Sequence, residues 1–156
     1  MSDERPLKLV VDTSIIIAAL LKEKSLPYEL ITGSSLALYA PRQAAEEIEK
    51  HMNDILKKSE LTVSQIRDRL SKMLHKIVLL DEEEFMNKLQ EAKHMIGHRD
   101  VKDVPFVAVL LSIEGDGVLS YNKDFDELDA YGYRRYTPAD LARLHKSNNT
   151  VSLVSG

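Results

Sequence analysis

The stretch Lys8-Leu9-Val10-Val11-Asp12-Thr13-Ser14, running into the apolar segment Ile15 to Leu21, restricts the fold more than any other part of the chain. Leu9, Val10 and Val11 make an unbroken aliphatic run, the pattern of a short strand covered on both faces of a parallel sheet. Asp12 ends that strand, and Thr13 or Ser14 is then the expected N-cap of the helix carrying Ile15 to Leu21. One carboxylate is thereby placed at the carboxyl end of a central strand, beside a helix N-terminus, where open α/β sheets take their ligands.

Downstream, the same alternation continues. Pro27 to Ile31 predicts a short helix ended by Gly33, and Leu36 to Tyr39 a second strand closed by Ala40-Pro41. A single helix is expected from Arg42 to Lys58, with Ala44, Ala45, Ile48, Met52, Ile55 and Leu56 as its stripe. Thr62 or Ser64 caps the next helix, striped by Ile66, Leu70, Met73 and Leu74, and Ile77 to Leu80 is a third strand. Asp81 caps a helix that ends near Gly97; Val104 to Leu111 is apolar nearly all round and reads as a buried helix. After the turn Gly115-Asp116-Gly117 comes a fourth strand, Val118 to Tyr121, ending at Asn122. Tyr133 to Tyr136 is a short edge strand, and Pro138 opens a last helix through His145. Strands alternating with helices imply right-handed βαβ units, hence one doubly wound α/β domain over residues 1–146. Its centre is expected to be a mostly parallel sheet of four to five strands with helices on both faces, and 147–156 a mobile polar tail.

The 156 residues suffice to bury a core without staples, and the absence of cysteine excludes disulfides and thiolate metal sites. A charged start and the lack of any long apolar run predict no signal peptide and no membrane span, so a cytoplasmic protein is expected. The net charge of −4 argues against general polyanion binding, but an active site made of carboxylates lowers the net charge by itself, and a local basic rim is compatible with it.

Besides Asp12, acids fall at several element ends: Glu47, Asp100, Asp103, and Asn122-Lys123-Asp124 after the fourth strand. Carboxylates converging in one concave site repel each other unless cations lie between them, and hard oxygen donors select Mg²⁺ or Mn²⁺. Taken together, Val10-Val11-Asp12-Thr13-Ser14, Pro41 with Glu46-Glu47-Ile48, Asp100-Val101-Lys102-Asp103-Val104-Pro105-Phe106-Val107-Ala108 and Leu119-Ser120-Tyr121-Asn122-Lys123-Asp124-Phe125 resemble the PIN domain (PilT N-terminal) nucleases, which include the VapC-type toxins. The resemblance extends from about Leu7 to about His145.

What it implies is a metal-dependent endoribonuclease that hydrolyses an RNA phosphodiester by in-line attack of water, leaving 5′-phosphate and 3′-hydroxyl ends, with Mg²⁺ or Mn²⁺ as cofactor. Asp12, Glu47 and Asp103 match the first three acids of the family. The fourth commonly closes a hydroxyl-x-Asp triplet, here Ser120-Tyr121-Asn122, so Asn122 stands in its place and Asp124 lies two residues on. Asp12, Asp103, Asn122 and Asp124 are the implied metal ligands, with Thr13, Ser14, Asp100 and Ser120 in support. A toxin with an antitoxin partner, or an RNA-processing enzyme, is the implied setting.

Each of these residues also has a plain structural use: Asp12 as a strand end, Thr13 and Ser14 as caps, Glu47 on a solvated helix flank beside Glu46 and Glu49, and Asp103 as N-cap with Pro105 in the first turn. Arg99 and Lys102 lie beside the expected site, and Lys72 and Lys76 on a basic helix side; a solvated face or an RNA-contacting rim explains them. The stripe Met73-Leu74, taken as exposed, suggests a homodimer. Asn122 to Tyr133 fails as a calcium loop, His94 and His98 lack a third zinc ligand, and no Gly-rich phosphate loop occurs. Two rival readings are a degenerate PIN domain that binds RNA or protein without cleaving, for which uncharged Asn122 is the motive, and a receiver-like phosphoryl acceptor, which the lack of an acid pair after the first strand disfavours.

Overall fold

The computed structural model describes residues 5–33 and 35–148. Five strands, β1 (Lys8–Val11), β2 (Ala37–Pro41), β3 (Ile77–Leu80), β4 (Gly117–Leu119) and β5 (Arg134–Tyr136), form one sheet in the order β3-β2-β1-β4-β5. Every neighbouring pair is parallel. From β1 the chain steps outward to β2 and β3, then returns across the sheet to β4 and β5. Because parallel crossovers are right-handed, that reversal sends the connecting helices to opposite faces.

The central strand is the apolar run expected of it: Leu9, Val10 and Val11 are fully buried. The helix over Val104 to Leu111 is realised as α8 (Val104–Ile113), which buries Phe106 and Val107 to Leu110.

Several boundaries differ from expectation, each for a local reason. α1 (Thr13–Ala18) stops short of Leu21. Past Ala18 the bonds tighten to the i−3 pattern, Leu20 N–H to Ile17 O at 2.9 Å and Leu21 N–H to Ala18 O at 3.3 Å, and the carbonyls of the turn are held by distant side chains: Ser59 Oγ donates to Leu20 O at 2.6 Å, and the Arg69 guanidinium donates to Ala19 O, Lys22 O and Glu23 O. Arg69 also stacks 4.6 Å from the centre of the Tyr28 ring on α2 (Leu26–Gly33).

The helix expected over 42–58 is two, α3 (Gln43–Lys50) and α4 (Met52–Lys58), broken at His51, whose backbone (φ −95°, ψ 6°) leaves the helical well and whose N–H is shared between Glu47 O and Ile48 O. Helix α5 (Val63–Lys76) opens with a reciprocal Thr62–Gln65 capping box. Met73 is fully buried and Leu74 packs against the core, so the stripe read as an exposed dimer surface faces inward.

The helix expected from Asp81 to Gly97 is α6 (Glu82–Phe85), a 3-10 turn over 86–88, and α7 (Leu89–Ile96), with Phe85 anchored in the core at the break. Helix α9 (Pro138–Asn148) takes in residues 147 and 148, assigned to the tail from the sequence, while 149–156 lie outside the described residues. Among the described residues, no helix is long and apolar enough to cross a membrane.

Gly117 shows how tightly β4 is held between its neighbours. A Cβ there would come within 2.2 Å of the Arg134 carbonyl oxygen on β5, a backbone atom that cannot swing aside. Gly117→Ala is therefore expected to cost about 2–3 kcal/mol, the scale of a strained core substitution, read as a lowered midpoint in thermal unfolding. An unchanged midpoint would mean that β5 is loosely attached.

Candidate active site

The sheet reverses its strand order at β1 and β4, and the crevice at the carboxyl ends of these two strands is where such sheets hold ligands. Asp12 follows β1 directly at this seam, and its N–H continues the ladder to Leu119 O at 3.0 Å. Its carboxylate is 7 % exposed, and Oδ2 accepts from Ser14 Oγ at 2.8 Å and from the buried Ser120 Oγ at 2.7 Å. Thr13 or Ser14 is the cap expected from the sequence; Thr13 is the first residue of α1 and Ser14 the second. The Ser14 hydroxyl instead turns back to fix Asp12, which occupies the N-cap position without making a side-chain cap bond.

Asp103 arrives from the other side of the crevice, at the end of a 3-10 turn over 101–103 and in the N-cap position of α8, again without capping it. The capping is done one turn earlier, where Asp100 Oδ1 accepts from the Lys102 N–H at 2.9 Å. Asp103 is thus left 6 % exposed, with Asn122 Nδ2 donating to Oδ2 at 3.4 Å. Burial pushes its carboxyl up from 3.8 to about 7, helped by the charges of Asp12, Asp100 and Asp124 and opposed by the Asn122 amide. Two carboxylates buried at one seam, one resisting ionisation first because of its burial and then because of the other's charge, are an arrangement that stability alone does not favour.

Asn122 links the two halves. Its N–H donates to Ser120 Oγ at 2.8 Å, and its Oδ1 accepts from the Asp124 N–H at 3.0 Å, capping the 3-10 segment 123–131. The side-chain amide group is what it turns towards Asp103. Asp124 contributes charge to Asp103 but does not line the crevice.

The crevice has a volume of about 560 Å³. Asp12, Thr13, Ser14, Asp100, Lys102, Asp103 and Asn122 line it on the β1, α8 and β4 side, with Phe106 supplying apolar surface. Glu47 lines the crevice from the wall formed by α3, where His51 Nε2 stands 3.3 Å from its Oε2. Lys50 and His51 line this wall too, and the sequence reading missed both. Their signal was present, since Lys50 and His51 follow Glu47 at the three- and four-residue spacing of one helix face.

The other expected RNA contacts are elsewhere. Arg99 bonds Glu127 at 2.6 Å, Lys72 pairs with Asp68 at 3.0 Å on α5, and neither they nor Lys76 line the crevice.

A sequence profile of the PIN domain matches residues 10–116, from the middle of β1 to the turn before β4. This chain belongs to the PIN domain family. A search of curated proteins returns no match. PIN domains are typically nucleases and generally use divalent metals. Among the described residues of this PIN domain, no three His, Asp or Glu side chains stand close enough together to hold an ion. The donors nevertheless suit a hard cation: all are oxygens, Asp103 is crowded by negative charge, and Mg²⁺ is commonly held by one or two carboxylates while keeping several waters.

Proposed function

We propose that this PIN domain is a Mg²⁺- or Mn²⁺-dependent endoribonuclease. The observation that carries the reading is the pairing of two buried carboxylates, Asp12 and Asp103, at the strand-order reversal, neither of them in an ion pair with a Lys or Arg among the described residues. Asp12, locked by Ser14 and Ser120, and Asp103 would hold the ion, which when bound activates water and neutralises charge on the scissile phosphate. Ser14 and Ser120 keep the Asp12 carboxylate in a single orientation, which a ligand needs and a solvated acid lacks. Glu47, poised over the crevice beside His51, orients the attacking water or takes its proton. Lys50 and Lys102 both line the crevice and make no ion pair among the described residues, so both are available to flanking phosphates.

The second reading is a PIN domain that binds RNA without cutting it. It is favoured by the Asn122 amide, which already donates to Asp103 and so stands in part for a cation. The two readings part in one assay. Purified protein incubated with single-stranded RNA is expected to cleave it in Mn²⁺ and to stop in EDTA, followed on a denaturing gel. Binding without cleavage in Mn²⁺ selects the second reading, and cleavage that survives EDTA overturns the metal dependence.

A further inference from the structure

We infer that Arg135 is a positioning residue of the carboxylate pair: it holds the Ser120 carbonyl where the sheet cannot, and so fixes the serine that orients Asp12. The inference rests on the nuclease reading above and adds to it a residue that acts on the ion site from outside the crevice.

The need for such a residue is written in the sequence. In a parallel ladder a residue donates to one residue of the neighbouring strand and accepts from the residue two further on. Ser120, just past β4, donates its N–H to Tyr136 O at 2.9 Å, so the donor due to its carbonyl is the N–H of residue 138. Residue 138 is proline and has none. The ladder therefore ends one bond short, at the residue whose hydroxyl bonds Asp12 Oδ2. Arg135 supplies the missing donor, its Nη1 reaching Ser120 O at 3.0 Å.

The guanidinium is itself held. Its Nε and Nη2 donate to the two oxygens of Asp126, at 2.9 and 3.4 Å, so the fork spans from the end of β4 to the 3-10 segment 123–131. That span encloses Asn122, whose N–H donates to Ser120 Oγ and whose amide meets Asp103. Both buried acids thus have a partner inside the loop that Arg135 closes.

Packing does not call for an arginine here. The register sets Arg135 beside Val118, which in turn lies beside Val10, and both valines are fully buried. An apolar side chain would continue that row. The Arg135 side chain is 14 % exposed and that of Asp126 50 %, so an apolar replacement fills the place and leaves the acid in water, at little cost to the fold. What is lost is the grip on Ser120.

Charge separates this role from a simple field effect. A cation near an ion site repels the ion, so deleting Arg135 would by electrostatics alone tighten Mn²⁺ binding. Positioning predicts the reverse. Arg134 is the control: it is adjacent and exposed, stacks 4.8 Å from the centre of the Tyr136 ring, and makes no bond to Ser120 among the described residues.

The test follows Mn²⁺ binding to the metal-free protein by electron paramagnetic resonance, with no RNA present. Arg135→Met is expected to weaken binding roughly tenfold, the low end of what losing a group that orients a ligand costs, with a melting temperature in EDTA close to the parent's. Without metal, the Asn122 backbone N–H should exchange with solvent faster in that variant. Arg134→Met changes neither. Affinity within about twofold of the parent, tighter binding, or unchanged Asn122 exchange overturns the inference and leaves the nuclease reading standing. A variant that melts far below its parent also overturns it, because the arginine is then a prop of the fold. A parent that binds no Mn²⁺ refutes both.

Discussion

Asp12→Asn is expected to lower RNA cleavage by on the order of 10³-fold while leaving the fold intact. Asp12 is the acid with the least freedom to be replaced, because one of its oxygens is held by two hydroxyls and the whole group is nearly closed off from water. Asn preserves the shape and an oxygen acceptor, and the Ser14 and Ser120 hydroxyls rotate to suit either partner. What is lost is the charge, and with it the affinity for a divalent ion and the neutralisation of the scissile phosphate. Single-turnover cleavage in saturating Mn²⁺ measures the effect, with circular dichroism confirming the fold. Cleavage retained within about tenfold would place the chemistry at some other site.

Asp103→Asn is expected to stabilise the metal-free protein, in a pH window set by one carboxyl. In the folded chain that group titrates near 7, whereas in the unfolded chain it titrates near its ordinary 3.8. Between those values the native state holds a proton that the unfolded state has released, so stability falls as pH rises from about 4 to about 7 and levels off above. Below about 4 both states are protonated and the contribution is fully present. The full shift corresponds to about 4 kcal/mol, and solvent reaching the crevice reduces this to about 2 kcal/mol. With EDTA present, Asp103→Asn at pH 8 should therefore melt about 4–8 °C above the parent, and at pH 4 close to it. Equal melting temperatures at pH 8 would mean that Asp103 ionises freely. Mn²⁺ should close the gap from the other side, raising the parent and not the variant, since a ligand bound only by the native state adds to its stability.

The legible part of this chain was what its hydrophobic pattern states without ambiguity. Leu9-Val10-Val11 reads as a doubly covered strand because both of its faces are covered, and Val104 to Leu111 reads as a buried helix for the same reason. With those two placed, Asp12 and Asp103 follow as strand-end and helix-start acids.

The break at His51 was invisible because the apolar stripe continues across it, from Ile48 to Met52 and Ile55. The turn that follows α1 is held by Ser59 and Arg69, distant in sequence, so no local pattern announces where the helix stops. At the crevice, the residues on each wall could be named, but not the direction of their hydrogen bonds. That Ser120 reaches Asp12, and that Asn122 turns its amide to Asp103, are decided by tertiary contacts between residues 108 and 19 positions apart. Lys50 was passed over because a cation on a helix flank looks the same whether water or a crevice lies beyond it.

The position of β1 in the middle of the sheet has a consequence for how the molecule is made. β1 leaves the ribosome first but receives its second neighbour, β4, only when Leu119 has emerged, because Val11 pairs with Leu119. Until then one edge of a strand whose Leu9, Val10 and Val11 are fully buried in the finished fold is open, and the acid that follows it lacks Ser120 to hold it. Contacts this remote in sequence form slowly, and an open strand edge invites pairing with other nascent chains. The carboxylate pocket is therefore finished only after β4 and Ser120 have emerged, so a chain stalled before that point carries the first acid without the partners that make it useful.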